Sequence, residues 1–405
     1  MKILEINKFH YLKGGSERYY FGLADELKRQ GHEVIFFSML DNRNKESKYK
    51  KYFIKNIDLH KFSLINIIKF FYNYEAVRNL KKLIKDEKPD IAHLHNIAHQ
   101  LSPAIINVLK KNNIPIVQTL HDYKLICPNA QLYNQGKICE RCNRGEYYQC
   151  FLNKCMHNSR AKSFLGMLEA YLHNTILKTY DQIDLFLAPS QFMKDTCVRF
   201  GIEEKRIKTI YNFVPEDFLE GNFLSKEEKN EEDYLLYFGR LSEEKGVSLL
   251  LDALILSKEK IKLKIVGTGP NLKNLKKQIQ KHNLVKKVEL LGYKSGDELK
   301  KIILNSRAIV IPSLWPENMP FSLLEALSSG VPAIVSEVGG MPEIIKENIN
   351  GFIFKRGDSS DLAKKINKLL KTDSEKLKKE AKKSVISLNL KEHTERILGL
   401  YKDLI

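Results

Sequence analysis

Residues 1–37 read MKILEINKFHYLKGGSERYYFGLADELKRQGHEVIFF. KILEI (2–6) and EVIFF (33–37) are apolar runs of strand length, rich in β-branched and aromatic residues. Between them SERYYFGLADELKRQGHE (16–33) carries apolar residues at helical spacing and stops at Gly31, a helix C-cap. Strand, glycine turn at Gly14 and Gly15, helix and strand make a βαβ unit, which requires parallel strands because the helix carries the chain back to the same end of the sheet. The opening residues are apolar for too short a run to be a signal peptide.

The alternation continues outward in DIAHL (90–94), PIVQT (115–119) and DLFLA (184–188). It breaks over 212–233, where GNFLSKEEKNEED (221–233) is poor in apolar residues and dense in charge, the composition of a linker. It restarts with YLLYF (234–238), KLKIV (262–266), KVELL (287–291), AIVI (308–311) and AIVS (333–336). The expected architecture is α/β, with two Rossmann-like doubly wound domains, 1–213 and 214–387, whose C-terminal strand ends face a central cleft that binds the ligand. A final helix, 388–405, is expected to return to the first domain.

A length of 405 residues suits two cores better than one, and 43% apolar against 29% charged residues excludes disorder, collagen and coiled coil. The 67 Lys and Arg exceed the 49 Asp and Glu by 18, which implies a polyanionic partner: a phosphorylated substrate, nucleic acid or an acidic membrane face. No run of about 18 apolar residues free of charge occurs, so no transmembrane helix is expected and the expected location is cytoplasmic.

The richest stretch for chemistry is WPENMPFSLLEALSSGVPAIVSEVGGMPEII (315–345). Glu317 lies in a loop after the strand AIVI, and Glu325 lies near the start of the helix that follows. Two carboxylates so placed reach different parts of an extended ligand, while the amides at the helix N-terminus attract an anion. A sugar and a phosphate fit that combination; solvated surface charge is the plainer alternative. FGRLSEEKGVSLLLDAL (238–254) sets Arg240 and Lys245 just beyond the first strand of the second domain, where paired guanidinium donors and a compact ammonium offset a diphosphate. In the first domain Gly14 and Gly15 permit close backbone approach to a ligand or make a tight turn. His121 and Asp122 follow the strand PIVQT at the cleft end, and His93 and His95 alternate at another strand end, where packing accounts for them equally well.

Taken together, Gly14-Gly15, His121-Asp122, Arg240 with Lys245, the Glu317 to Glu325 spacing and GG-x-PE at Gly339 to Glu343 resemble glycosyltransferase family 4, retaining enzymes of GT-B fold. The resemblance spans nearly the whole chain. It implies transfer of a sugar from a nucleotide diphosphate donor to an acceptor hydroxyl in bacterial surface polysaccharide or related glycan synthesis. By position, Arg240 and Lys245 would bind the diphosphate and stabilise the leaving group, and Glu325 would hold the ribose hydroxyls. Glu317 would bind the donor sugar with the amides of Phe321 and Ser322, His121 would lie beside that sugar, and the Tyr293 to Ser295 backbone would lie near the base. The leaving phosphate can accept the acceptor's proton, so no side-chain base is required. Where the family often has Gly-Phe-Gly after the first Glu, this chain has Asn318-Met319-Pro320, and proline has no amide to donate. The absence of Asp-x-Asp fits catalysis without a metal or other cofactor.

HDYKLICPNAQLYNQGKICERCNRGEYYQCFLNKC (121–155) forms an insert at about 123–160. Its cysteines offer a structural zinc site, with Cys127, Cys139, Cys142 and Cys155 as ligands and Cys150 as the substitute; reduced buried thiols are the alternative. Residues 45–88 hold twelve Lys or Arg against five Asp or Glu, interleaved with Phe62, Leu64, Ile65, Ile67, Ile68, Phe70, Phe71, Tyr72 and Tyr74. Such a segment can lie on an anionic membrane at the inner face of the cell membrane and serve a glycan or lipid-linked acceptor, or it can be a core helix with a basic outer face. The competing functions are a sugar nucleotide epimerase of the same fold and a nonenzymatic basic protein binding membrane or nucleic acid. No helix-turn-helix, zinc-finger helix or RNA-binding aromatic motif supports nucleic acid as a partner.

Overall fold

A computed structural model describes residues 1–57, 64–218 and 233–405. The chain divides into two compact units, one of residues 1–134, 139–211 and 390–405, the other of residues 135–138 and 212–389. Most of the charged linker stretch lies outside the described residues.

The first unit is built on β1 (Lys2–Ile6), β2 (Glu33–Phe37), β3 (Ile91–Leu94), β4 (Ile116–Thr119), β5 (Leu185–Ala188) and β6 (Ile207–Thr209). All pair in parallel, in the order β2-β1-β3-β4-β5-β6. The first crossover helix, Gly15–Arg29, ends two residues before Gly31: Gln30 is the C-cap, and Gly31, with φ +83, follows it. Helices on both faces bury the central strands, so Ile3, Leu4 and Ile6 are sealed from solvent. Glu5 is sealed as well, a carboxylate in a strand with no wet side. The last helix, Leu390–Lys402, packs on the helix Gly15–Arg29 within this unit.

The second unit holds β7 (Tyr234–Phe238), β8 (Lys262–Val266), β9 (Val288–Gly292), β10 (Ala308–Ile311), β11 (Ala333–Ser336) and β12 (Gly351–Phe354). Their order is β9-β8-β7-β10-β11-β12, again all parallel. The order reverses between β7 and β10, and at such a switch point the following loops part and leave room for a ligand. In the first sheet the reversal falls between β1 and β3. Within the two six-stranded sheets, the outermost strands β6 and β12 are the two that the sequence pattern did not announce.

The insert contains helices Tyr148–Leu152 and Arg160–Ala170 and has a small core of its own: Cys142, Tyr147, Cys150 and Ala170, flanked by Met156 and Met167. The basic segment forms helices Leu64–Phe71 and Tyr74–Glu87. Phe70 is buried, but Ile65 and Tyr74 are 66% and 68% exposed, and Ile68 and Tyr72 are exposed too. Its apolar face is therefore only partly core. Phe62 lies outside the described residues.

Candidate active site

In the second unit the loops after β7 and β10 flank the switch point, and both carry charge. Arg240 is exposed just past β7, held by its carbonyl, which accepts from Tyr237 Oη at 2.8 Å. Five residues on, Lys245 Nζ donates to Glu317 Oε1 at 2.6 Å, and Ser313 Oγ donates to the same oxygen at 2.6 Å. Lys245 also sits 5.0 Å from the centre of the Trp315 ring, whose Nε1 is buried without an acceptor among the described residues. The backbone fixes this meeting: Leu314 N donates to Glu244 O at 2.8 Å and Gly340 N to Glu317 O at 2.8 Å. Two glycines make it possible. Gly246 has φ +68 and a Cβ there would stand 1.9 Å from Pro312 O; Gly339 has φ +68 and a Cβ there would stand 1.9 Å from Glu317 O. A side chain at either position would push the Lys245 and Glu317 loops apart.

The helix Phe321–Ser328 begins directly after Pro320, so the amides of Phe321 and Ser322 belong to the first turn, which has no intrahelical acceptor to offer them. Glu325 is buried in the second turn of that helix, one turn further in than its expected place near the first. Asn212 Nδ2 donates to Met319 O at 2.7 Å, so the backbone of the Asn318-Met319-Pro320 segment is gripped from another loop of the same unit. Tyr293 is 71% exposed beyond β9. The structure thus joins Lys245 to Glu317, and sets Arg240, Glu325 and Tyr293 on separate elements around the same end of the sheet.

In the first unit Gly14 precedes the helix Gly15–Arg29 in extended backbone, and Gly14 and Gly15 are both exposed. His121 follows β4 and lines a cavity of about 100 Å³ together with Lys8, Gln118, Asp122 and Lys124. Lys124 Nζ donates to the buried Glu169 Oε2 at 2.5 Å, and Lys8 Nζ donates to Ala98 O at 3.0 Å. Behind His121 stands a polar layer that sequence reading did not assemble. His121 Nε2 is hydrogen-bonded to His95 Nδ1 at 2.9 Å, and His95 Nε2 to Glu5 Oε2 at 2.6 Å. His93 bonds Thr119 Oγ1 at 2.7 Å and Tyr401 Oη at 2.6 Å. Burial pushes Glu5 up to about 7 and drives His93 and His95 down to about 3; it also holds His121 well below its ordinary value, with His95 adding to the effect. These imidazoles are neutral at physiological pH.

Among the described residues, Glu5, His93 and His95 are the only group of three with ligand atoms within 4.8 Å of one another. Both nitrogens of each ring are already hydrogen-bonded and all three side chains are sealed, which makes the group a hydrogen-bonded layer and not a metal centre. Cys127, Cys142 and Cys150 are buried and Cys139 and Cys155 half-buried, all as free thiols. Cys127 Sγ donates to Asn129 Oδ1 at 2.9 Å, and Cys155 Sγ accepts from Asn134 Nδ2 at 3.4 Å. Burial pushes Cys127 up to about 11, and Cys155 is raised first by its hydrogen bond to Cys150. Thiols held protonated in this way are poor nucleophiles, which speaks against a redox role.

Two family models match the chain: Glycosyltransferase Family 4 over residues 13–218 and Glycosyl transferases group 1 over residues 221–384. An uncharacterized glycosyltransferase of Methanocaldococcus jannaschii is 26% identical, over 84% of this chain and 80% of that protein. An Escherichia coli UDP-Gal:alpha-D-GlcNAc-diphosphoundecaprenol alpha-1,3-galactosyltransferase is 32% identical over 35% of this chain and 36% of its own length. Among solved structures, Anabaena HepE in complex with UDP-glucose superposes with a TM-score of 0.70 at 18% identity, covering 100% of both chains, which establishes the GT-B fold.

Proposed function

Because this chain belongs to glycosyltransferase family 4, we propose that it moves a hexose from a nucleoside diphosphate sugar to a hydroxyl of a glycan or lipid-linked acceptor, with retention at the anomeric carbon. The observation that carries the reading is the Lys245–Glu317 pair beside Arg240 at the switch point of the second sheet. Arg240 and Lys245 take the diphosphate, and their fixed positive charge stabilises the phosphate as the sugar leaves, without a divalent ion. Glu317, oriented by Ser313, accepts hydrogen bonds from sugar hydroxyls, while the amides of Phe321 and Ser322 donate to the phosphate or sugar. Glu325 receives the ribose hydroxyls, and the backbone at Tyr293 borders the base. Gly14, Gly15 and His121 are assigned to the sugar end of the donor. The departing phosphate takes the proton of the attacking hydroxyl.

A UDP-sugar is the first donor to test, because HepE was solved with UDP-glucose. Thermal unfolding should be followed with UDP, GDP, ADP and their sugars, since a ligand that binds only the folded state raises its melting temperature. A shift with one nucleotide family that disappears in Glu325→Ala supports the reading; no shift with any of them in folded protein removes it.

The acceptor is placed at the inner face of the cell membrane. Ile65, Ile68, Tyr72 and Tyr74 form an exposed apolar strip in the basic segment, and Leu152, Phe164, Ile176 and Leu177 of the insert and the turn after it are exposed in the same unit. His173 Nε2 ties that turn to Phe71 O at 3.0 Å. Apolar side chains framed by lysines bind anionic bilayers. No described helix is long and apolar enough to cross a membrane. Vesicles of phosphatidylglycerol should sediment the protein at low salt, and failure to do so would sink this placement.

A further inference from the structure

β1, β3 and β4 lie side by side, and Glu5 is the direct register partner of His93. Because side chains alternate along a strand, Glu5, His93, His95, Thr119 and His121 fall on one face. The helices Gly15–Arg29 and Leu390–Lys402 cover that face with Tyr19, Tyr20, His393 and Tyr401. His93 is fully engaged with Thr119 and Tyr401, and its Nδ1 stays 3.7 Å from Glu5 Oε1. That oxygen is buried without a hydrogen-bond partner, so the bond to His95 is the one in which the Glu5 carboxyl takes part among the described residues. His95 is 1% exposed and stacks on His121 with ring centroids 5.2 Å apart.

We infer that Glu5 and His95 are positioning residues for His121: the hydrogen-bonded chain Glu5–His95–His121 decides which ring nitrogen of His121 carries its proton. With Glu5 as a carboxylate, His95 Nε2–H donates to Oε2, His95 Nδ1 is a lone pair, and His121 must donate to it from Nε2–H. His121 Nδ1 is then an acceptor. With Glu5 as a carboxylic acid, its O–H donates to His95 Nε2, His95 Nδ1–H donates to His121 Nε2, and the remaining proton of His121 sits on Nδ1, which becomes a donor. The two states differ by one proton. It enters at His121 Nδ1, the Nε2 proton of His121 passes to His95 Nδ1, the Nε2 proton of His95 passes to Glu5 Oε2, and both rings finish neutral. Burial, which raises Glu5 to about 7, puts both states within reach near neutral pH. The groups facing Glu5 are His93 and His95 from β3, Tyr19 and Tyr20 from the first helix, and Tyr401 from the last; the tyrosines are all held protonated by burial.

The tautomer order stands without the transferase reading; its effect on turnover rests on that reading, so two measurements separate them. Nitrogen-15 imidazole shifts of the histidine-labelled, ligand-free protein should show His95 and His121 reversing tautomer together between about pH 6 and about pH 8.5, with neither ring cationic. Glu5→Gln, whose amide keeps one arrangement at every pH, should abolish the reversal. One fixed tautomer in the wild-type protein, or the same reversal in Glu5→Gln, overturns the inference; the wild-type titration decides even if the variant does not fold. With UDP-glucose as probe, Glu5→Gln should lower the rate of UDP release about tenfold or more and flatten its pH profile while KM stays unchanged. UDP release that is absent from the wild type, with the tautomer reversal present, counts against the transferase reading alone.

Discussion

Lys245 and Glu317 lend themselves to a double-mutant cycle, because the two residues share one short bond and Ser313 provides an internal control. Lys245 is 23% exposed and Glu317 7%. The pair therefore lies between an exposed ion pair, worth about 0.2–1 kcal/mol, and a buried one, where truncating one partner costs about 3–5 kcal/mol. Lys245→Ala leaves Glu317 with Ser313 alone, and a cost of about 2 kcal/mol follows from one lost charge-assisted hydrogen bond. Glu317→Gln keeps an acceptor for Ser313 and Lys245 and should cost about 1 kcal/mol. In the double variant no charge is stranded, so its cost should match Lys245→Ala, with a coupling of about 1 kcal/mol. Thermal unfolding of the four proteins would register ~2 kcal/mol as a drop of about 4–8 °C in a unit of this size. UDP titration then separates the functional roles: Lys245→Ala should weaken UDP about 10- to 100-fold, and Glu317→Gln should weaken UDP-glucose but not UDP. Strictly additive unfolding would refute the pair. Unchanged UDP affinity in Lys245→Ala would refute the phosphate assignment.

Gly339→Ala combines an unfavourable positive φ with a Cβ 1.9 Å from Glu317 O, so it should destabilise the second unit by about 2–4 kcal/mol and abolish UDP-glucose binding; a variant that melts and binds like the wild type would show that the loop relaxes freely. Stability should fall with acidification. Burial lowers His10 to about 4 and His93, His95 and His393 to about 3, and holds His99 and His121 well below their ordinary value, so below about pH 6.5 the unfolded chain gains protons that the fold refuses, while Glu5, raised to about 7, and Asp122, also raised by burial, oppose them. The histidines outnumber the carboxyls, which leaves a loss of several kcal/mol per pH unit between about pH 6 and pH 5, and a melting temperature that does not drop there would contradict it. We propose that the insert takes a structural zinc on Cys127, Cys139, Cys142 and Cys155, although no three of these thiols lie within 4.8 Å of one another, so the ion would have to draw them together. Elemental analysis should find about one zinc per chain, lost on chelation together with proteolytic protection of residues 123–160, and a zinc-free insert that stays protected would mean that its small apolar core suffices.

The sequence pattern carried most of the fold because the central strands are buried on both faces and read as unbroken apolar runs. IKT (207–209) and GFIF (351–354) escaped because each has one neighbouring strand and three or four residues, too few for a periodic signal. The charged loops of the second sheet were legible for the opposite reason: Arg240, Lys245 and Glu317 stand immediately after apolar runs, where strand ends must be. Their contact was not, since it depends on the space left by Gly246 and Gly339. Glu5 was the largest omission. Its partner His95 lies 90 residues away, and only the order β1-β3-β4 brings the two to His121. The available signal was a carboxylate in the middle of KILEI together with the His-x-His at residues 93–95, and each half has an ordinary explanation when read alone.

The protein is strongly basic, yet the imidazole that lines its first-unit cavity is kept uncharged. On the proposed mechanism these two facts belong together. A leaving diphosphate needs positive charge beside it, and Arg240 and Lys245 are assigned to supply it. The same phosphate must remain free to take a proton from the attacking hydroxyl. An imidazolium at His121 would add a further cation to a cavity already lined by Lys8 and Lys124. Burial and the hydrogen bond to His95, with Glu5 behind, keep that ring neutral. The buried layer and the charged loops thus differ in electrostatic character: the second unit carries the cations proposed for the phosphate, and the first unit carries a neutral, oriented imidazole.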